Sequence, residues 1–227
     1  MPVYQLDSYY MAFPPADHAN EDGLLAIGGE LREDWLLLAY QSGIFPWFNE
    51  GEPILWWSPD PRFILEPDEV RIQKSMHKVL TDGRYTFRLD SAFGDVIDRC
   101  AEIPRKGQNG TWITRHMKEA YKKLHEQGMA HSAEVWEGDQ LVGGLYGVSI
   151  GGAFFGESMF SERPNASKFA LIKLAQWLGD REFHLIDCQI YSKHLENLGA
   201  QLISRSEFLD ILDVAMDEPT YFGQWKV

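Results

Sequence analysis

GGLYGVSIGGAFFGESMFS (Gly143–Ser161), ERPNASKFALIKLAQWLGDREFH (Glu162–His184) and LIDCQ (Leu185–Gln189) run consecutively and decide the fold. The first part reads as two strands turning at Gly151-Gly152. The second reads as a helix opened by Pro164 and Asn165. The third is a short apolar strand carrying an acid. Strand, helix, strand in that order is a βαβ crossover, which makes the outer strands parallel. Side chains alternate along a strand, so Glu157, Met159 and Ser161 are expected on one face. Leu185, Asp187 and Gln189 are expected together on one face of the next strand. If those faces coincide, two carboxylates, an amide and a hydroxyl meet beside apolar residues. A buried strand has little structural use for so many polar groups, because each needs a partner.

Outward from this unit, the order is mixed. Helical patterns cover 33–42, 73–80, 91–103, 114–127, 165–179, 192–198 and 206–215. Strand patterns cover 85–89, 131–137, 140–149, 153–161, 184–190 and 200–204, with Gly138-Asp139 making a hairpin. The helix at 165–179 is apolar nearly all round, so it should lie buried against the sheet. ILWWSPDPRFIL (Ile54–Leu65) reads as a strand interrupted by proline. Its Pro59-Asp60-Pro61 punctuation is the expected boundary between a small N-terminal domain, residues 1–61, and a layered α/β domain, residues 62–227.

The 227 residues suffice for one large or two small domains. No apolar run approaches a bilayer span, and Met1–Tyr10 lacks the pattern of a signal peptide. Cys100 and Cys188 are the two cysteines. Without an export signal they point to a reducing cytoplasm. Cys188 alternates away from Asp187, so it is expected in the core. The seven histidines have no metal-ligand spacing, and no P-loop is present, so neither a metal nor ATP is expected.

Net charge is −13, against the usual sign for an RNA-binding protein. Its distribution is uneven. Residues 1–61 hold one basic and ten acidic residues, and residues 126–227 hold seven and fifteen. Residues 62–125 hold thirteen basic against nine acidic. That middle third, with Lys74, Lys78 and Arg84 among its cations, is the candidate platform for phosphates. For any single lysine, a solvated helix face is the simpler reading.

FGESMFS, NASK and LIDCQ, together with GIFPWF (Gly43–Phe48), ILWWSPDPR (Ile54–Arg62), GTWIT (Gly110–Thr114) and HSAEVWEGDQLVGG (His131–Gly144), carry a resemblance. In this order and spacing they resemble the leucyl/phenylalanyl-tRNA–protein transferase family, from about Phe13 to about Leu212. The resemblance implies an acetyltransferase-like (GNAT) fold for the larger domain, consistent with the element order. It implies transfer of leucine or phenylalanine from aminoacyl-tRNA to an N-terminal Arg or Lys of a protein. No cofactor is implied, and the modification marks proteins for degradation in the bacterial cytoplasm.

The resemblance also distributes roles. Asp187 and Gln189 are assigned to catalysis, with Asp187 as proton acceptor. Peptide-bond formation from an ester needs an amine that sheds a proton as it attacks, and a carboxylate held by an amide can take it. On residue type alone, a buried acid tying down a backbone or an arginine is as good a reading of Asp187. Glu157, Met159 and Ser161, with Leu145, Phe154 and Ile186, are implied to hold the donor side chain and its α-amino group. Trp47 and Trp112 are implied to lie near the 3′-terminal adenosine, where an indole can stack on a base. Lys168, in the helix start Asn165-Ala166-Ser167-Lys168, is a candidate phosphate contact, the alternative being a plain capped helix. Ser161–Ala166 is not the Q/R-x-x-G-x-G/A cradle that a coenzyme A-dependent acetyltransferase would carry there. Such an acetyltransferase is nevertheless the rival reading. A non-catalytic tRNA-binding module is the weaker one.

Overall fold

A computed structural model of the chain describes residues 3–103 and 111–227. Gly110, first residue of the GTWIT motif, lies outside the described residues. Two sheets form. The smaller contains β1 (Tyr4–Leu6), β2 (Leu24–Gly28), β3 (Phe45–Pro46) and β4 (Leu55–Trp57), in the order β1-β2-β4-β3. The larger contains β5 (Arg62–Leu65), β6 (Thr86–Leu89), β7 (Ala130–Glu137), β8 (Gln140–Ile150), β9 (Ala153–Ser161), β10 (Leu185–Gln189) and β11 (Gln201–Ile203). Its order is β11-β5-β10-β9-β8-β7-β6. The helices are α1 (Glu33–Gln41), α2 (Lys74–Thr81), α3 (Phe93–Glu102), α4 (Arg115–Glu126), α5 (Ala166–Gly179), α6 (Lys193–Glu196) and α7 (Arg205–Met216).

The chain is mixed α/β, and β9–α5–β10 is the expected crossover, its strands parallel. The proline-interrupted strand resolves differently from its sequence reading. Pro59-Asp60-Pro61 separates β4 of the small sheet from β5 of the large one. Strands β1 and β2 were not expected, because the turn-rich segment around them masks their alternation.

The large sheet has apolar layers on both faces. α2 and α5 cover one face with Met76, Phe169, Ile172 and Leu178. α1, α3, α4 and α7 cover the other, and residues of the small sheet such as Leu25 and Trp56 join that same layer. The small sheet therefore shares its core with the large one. α5 can lie close on β8 because Gly143 has no side chain. A Cβ there would stand 2.6 Å from that of Ala166.

Two irregularities shape the centre of the large sheet. Between β8 and β9 the register runs Tyr146↔Ser158 and then Gly147↔Gly156, so Glu157 is an extra, bulged residue. A bulge flips the facing of every residue beyond it. Phe155 accordingly packs in the α1/α4 layer, whereas Met159 packs in the α5 layer. The expectation that Glu157, Met159 and Ser161 share a face fails for this reason. A second bulge, at Cys188, breaks the pairing of β10 with β5. Gln189 beyond it has φ +66°.

Arg62 and Asp187 cross-link β5 and β10 with no solvent exposure. Arg62 Nε and Nη2 donate to Asp187 Oδ1 and Oδ2 at 2.9 and 2.6 Å. A third guanidinium donor reaches the Gly43 carbonyl at 3.1 Å, and the planar group lies over the rings of Phe45 and Phe208. The pair thus fastens the β10 end to the turn after α1 and to α7. Removing one partner strands a buried charge, which costs about 3–5 kcal/mol. Arg62→Met should lower unfolding free energy by that amount in urea denaturation, and Arg62→Met with Asp187→Leu should recover most of it. Additive losses in the double variant would show that the pair is not coupled.

Candidate active site

Ladder pairing between β9 and β10 ends at Asp187↔Phe155. Beyond it β9 pairs only with β8, and β10 only with β5. A cavity of about 460 Å³ lies where the two strands part, lined by β8, β9, β10, α5, the β3 segment, the segment before α4 and the start of α6. Such a gap at the end of a strand pair is a common ligand site in sheets with crossovers.

One end of the cavity is apolar. Leu145, Phe154, Met159 and Ile186 line it, with Leu171 and Leu195. Leu145 and Met159 are cross-strand partners, which explains their shared wall. Trp47 and Trp112 line the cavity from the small-sheet side and from the approach to α4. Trp57 Nε1 donates to the Trp47 carbonyl at 2.7 Å, fixing that segment. Thr114 caps α4, its hydroxyl accepting from the Met117 amide.

Glu157 and Gln189 form the polar end. Glu157 is 9% exposed. Its Oε1 accepts from Tyr40 Oη at 2.7 Å and from Gln189 Nε2 at 2.7 Å. Its Oε2 accepts from Tyr121 Oη at 2.9 Å. The two phenol oxygens also touch one another. Burial pushes the Glu157 carboxyl up to about 7, against the lowering effect of its three donors. Tyr40 and Tyr121 are pushed well above the usual phenol range by burial and by the carboxylate beside them.

Asp187 is not among the cavity-lining residues. Both its oxygens are held by Arg62, and Oδ1 also accepts from the Gln189 backbone amide at 2.9 Å. It therefore fixes the unusual backbone of Gln189, whose side chain turns to Glu157. Ser161 is likewise outside the cavity. Its hydroxyl donates to the Arg163 carbonyl and accepts from the Ser167 amide, so it caps α5 from the preceding strand. Asn165, at φ +66°, makes no side-chain cap. Cys188, expected in the core, is half-buried on the cavity wall, with its thiol pushed up by burial and by Asp187.

The basic residues divide sharply. Lys118 and Lys122 pair with Asp98, Lys123 with Glu33, and Arg115 with Glu119. Arg84 pairs with Glu137. Lys74 and Lys78, exposed on α2, enter no ion pair among the described residues. Lys168 sits half-buried near His194, which lines the cavity.

Sequence reasoning missed Tyr40, Tyr121, Arg62 and His194. Tyr40 and Tyr121 sit in amphipathic helices, where a tyrosine reads as ordinary core. Arg62 carried a signal, being a single charge heading the apolar run Phe63–Leu65. Among the described residues no cluster suited to a metal ion occurs, and no helix is long and apolar enough to cross a membrane.

Comparisons with known proteins agree on one family. The profile described as "Leucyl/phenylalanyl-tRNA protein transferase" matches residues 64–213, and that of its N-terminal domain matches residues 29–60. A leucyl/phenylalanyl-tRNA–protein transferase from Anaeromyxobacter sp. (strain Fw109-5) is 52% identical over 227 residues, covering 100% of this chain and 96% of the relative. One from Myxococcus xanthus is 51% identical over 226 residues, covering 99% and 97%. One from Flavobacterium johnsoniae is 56% identical over 200 residues, covering 88% and 94%. Among solved structures, a GCN5-related N-acetyltransferase from Kribbella flavida aligns with a TM-score of 0.39 at 10% identity, covering 74% of this chain and 60% of that one. A likeness that weak carries no argument, and the fold rests on the strand order above. With both profiles matched in order and half of all residues shared along the full length, the chain belongs to the leucyl/phenylalanyl-tRNA–protein transferase family.

Proposed function

We propose that the protein moves leucine or phenylalanine from aminoacyl-tRNA onto the N-terminal Arg or Lys of acceptor proteins in the cytoplasm, forming a peptide bond that marks them for degradation. The observation that carries this reading is the composition of the cavity. An apolar end adjoins a buried carboxylate–amide pair, with two indoles beside them. Leu145, Phe154, Met159 and Ile186 hold the donor side chain. Glu157 and Gln189 face the reacting amine and ester. Trp47 and Trp112 hold the terminal adenosine. Asp187 acts through Gln189, by fixing its backbone. The aminoacyl ester is already activated, so transfer to an amine needs no ATP.

Lys74 and Lys78 of α2 are the phosphate contacts this reading favours, because the cations of α4 are paired internally. Arg84 and Lys168 have weaker support, since one is paired and the other half-buried. The rival, a coenzyme A-dependent acetyltransferase on the same sheet, would use the first-turn amides of α5 for pyrophosphate. The Ser167 amide is already taken by Ser161.

The deciding experiment offers tRNA charged with labelled Phe to a peptide beginning with Arg, and detects the peptide extended by Phe. Coenzyme A binding with acetyl transfer, and no such extension, would overturn the proposal. Valyl-tRNA should react roughly 10- to 200-fold more slowly than leucyl-tRNA, the range that shape discrimination in an apolar pocket allows. The branch at the valine Cβ is stiff and wide beside the ester.

Phosphate and base contacts separate in a second measurement. Lys74→Glu with Lys78→Glu should weaken binding of full-length charged tRNA and flatten its salt dependence, while sparing an aminoacyl-adenosine donor. Trp112→Ala should weaken both donors alike, by about 1–3 kcal/mol for a lost stack. Equal damage to the minimal donor from the lysine changes would mean that α2 serves structure instead.

A further inference from the structure

We propose that Glu157 is the residue that takes the proton from the attacking amine and returns it to the departing ribose oxygen, with Tyr40 and Tyr121 closing a hydrogen-bond ring that holds the proton. This deepens the transfer reading above and rests on it.

The argument begins with a count of hydrogens. Tyr40, Tyr121 and Glu157 meet in three oxygen–oxygen contacts: phenol to phenol, Tyr40 to Oε1 and Tyr121 to Oε2. The two phenols supply two hydrogens. The remaining contact is bonded only when the carboxyl carries the third. Both tyrosines are wholly buried, so an unbonded oxygen pair there finds no water to relieve it. With the proton present, the ring is closed. Without it, both phenols donate to the carboxylate, Gln189 adds a third donor, and only the phenol–phenol contact goes unbonded. Each state is well supported, and a proton passes between them at little cost. The carboxyl titrating at about 7 agrees with this balance.

Asp187 lacks those properties. Its oxygens are bound to Arg62 and to the Gln189 amide, and it does not border the cavity. Glu157 borders it. The other titratable groups near Glu157 come from the elements packed around it. Tyr40 from α1 and Tyr121 from α4 remain phenols. Tyr146 of β8 packs its ring edge-on to Tyr121 at 5.6 Å. Cys188 of β10 remains a thiol, and the charge of Asp187 is met by Arg62 of β5. Tyr191 and His194 are the remaining titratable side chains on the cavity wall among the described residues, and burial, with Lys168 beyond it, lowers the His194 imidazole.

The step balances without a co-reactant. The amine lone pair forms the C–N bond to the ester carbonyl carbon, and the carbonyl π pair moves onto oxygen. The N–H proton passes to the Glu157 carboxylate. The carbonyl re-forms, the C–O bond to ribose breaks, and the ribose oxygen takes the proton back from Glu157. The ionised form starts the cycle, so the rate rises with pH through the titration of this group.

Two measurements test this. In infrared difference spectra of the full-length protein without substrates, a protonated-carboxyl stretch should fade as pH rises through about 7. It should vanish in Glu157→Gln and persist in Asp187→Asn. A spectrum without that band, or a band surviving Glu157→Gln, overturns the stored proton. In single-turnover transfer, Glu157→Gln should slow chemistry roughly 100-fold or more with donor binding kept. Tyr121→Phe should move the midpoint of the pH–rate profile upward by about one pH unit, one donor to the charged form being lost. The acceptor amine also titrates near this range, at about 7.7–8, but its limb does not move between variants. A midpoint that stays put in Tyr121→Phe, or that follows His194→Gln instead, overturns the assignment. Absence of any peptide-bond formation by the wild-type protein would strike the transfer reading itself, while the infrared result would still stand.

Discussion

Two parallel strands cannot separate without consequences for their backbones. Each amide and carbonyl released from the β9–β10 ladder must find another partner. Here β8 and β5 take up that bonding, each through a bulge, at Glu157 and at Cys188. The bulges do more than relieve the ladder. One releases Glu157 from the alternation of β9, so that a carboxylate and the apolar Met159 both reach the cavity from opposite layers. The other sets Gln189 in a left-handed conformation, with its amide aimed at that carboxylate. Arg62 and Asp187 hold the second bulge from behind. The chemistry of the site thus follows from where the sheet opens.

The electrostatics follow a similar economy. An acidic protein that binds RNA has to place its few free cations with care, since repulsion from the remainder suppresses non-specific binding. Most cations of the basic middle third are spent internally, several in tying α4 to α1 and α3. Those ion pairs lie at the surface and contribute little to stability each. Among the described residues of that third, they leave Arg71, Arg88 and the two lysines of α2 outside ion pairs. Charge counted along the sequence overstated the platform, because a count does not distinguish a paired lysine from an available one.

Much of the fold was legible because its signals are local. The βαβ crossover, the hairpin at Gly138-Asp139 and the boundaries of α4, α5 and α7 follow from periodicity and turn residues. Met159, Leu145 and Ile186 were legible as a pocket through family motifs. The alternation that grouped Glu157 with Met159 and Ser161 fails at a bulge, which leaves no mark in FGESMFS. Tyr40 and Tyr121 were illegible for another reason. They stand on different helices, 81 residues apart from each other in the chain, and nothing local distinguishes a phenol that meets a carboxylate from one that fills space.

Keeping Glu157 poised has a thermodynamic cost. A carboxyl whose folded-state value rises from 4.5 to about 7 binds its proton more tightly when folded. Below the unfolded value both states are protonated, and no penalty arises. As pH rises from about 4.5 to 7 the unfolded chain loses the proton first, so stability falls across that window. Above it the penalty levels off at roughly 3 kcal/mol, the free energy of a shift of that size. An apolar residue at 157 would escape the charge penalty but would leave two phenols and the Gln189 amide without their acceptor. A glutamine would accept from the phenols yet could not exchange a proton. The fold therefore carries a stability cost that no packing need explains, and the buried pair of Arg62 and Asp187 stands directly behind the place where that cost falls. That is the expected pattern where a site is held for chemistry and the surrounding sheet must be firm enough to tolerate it.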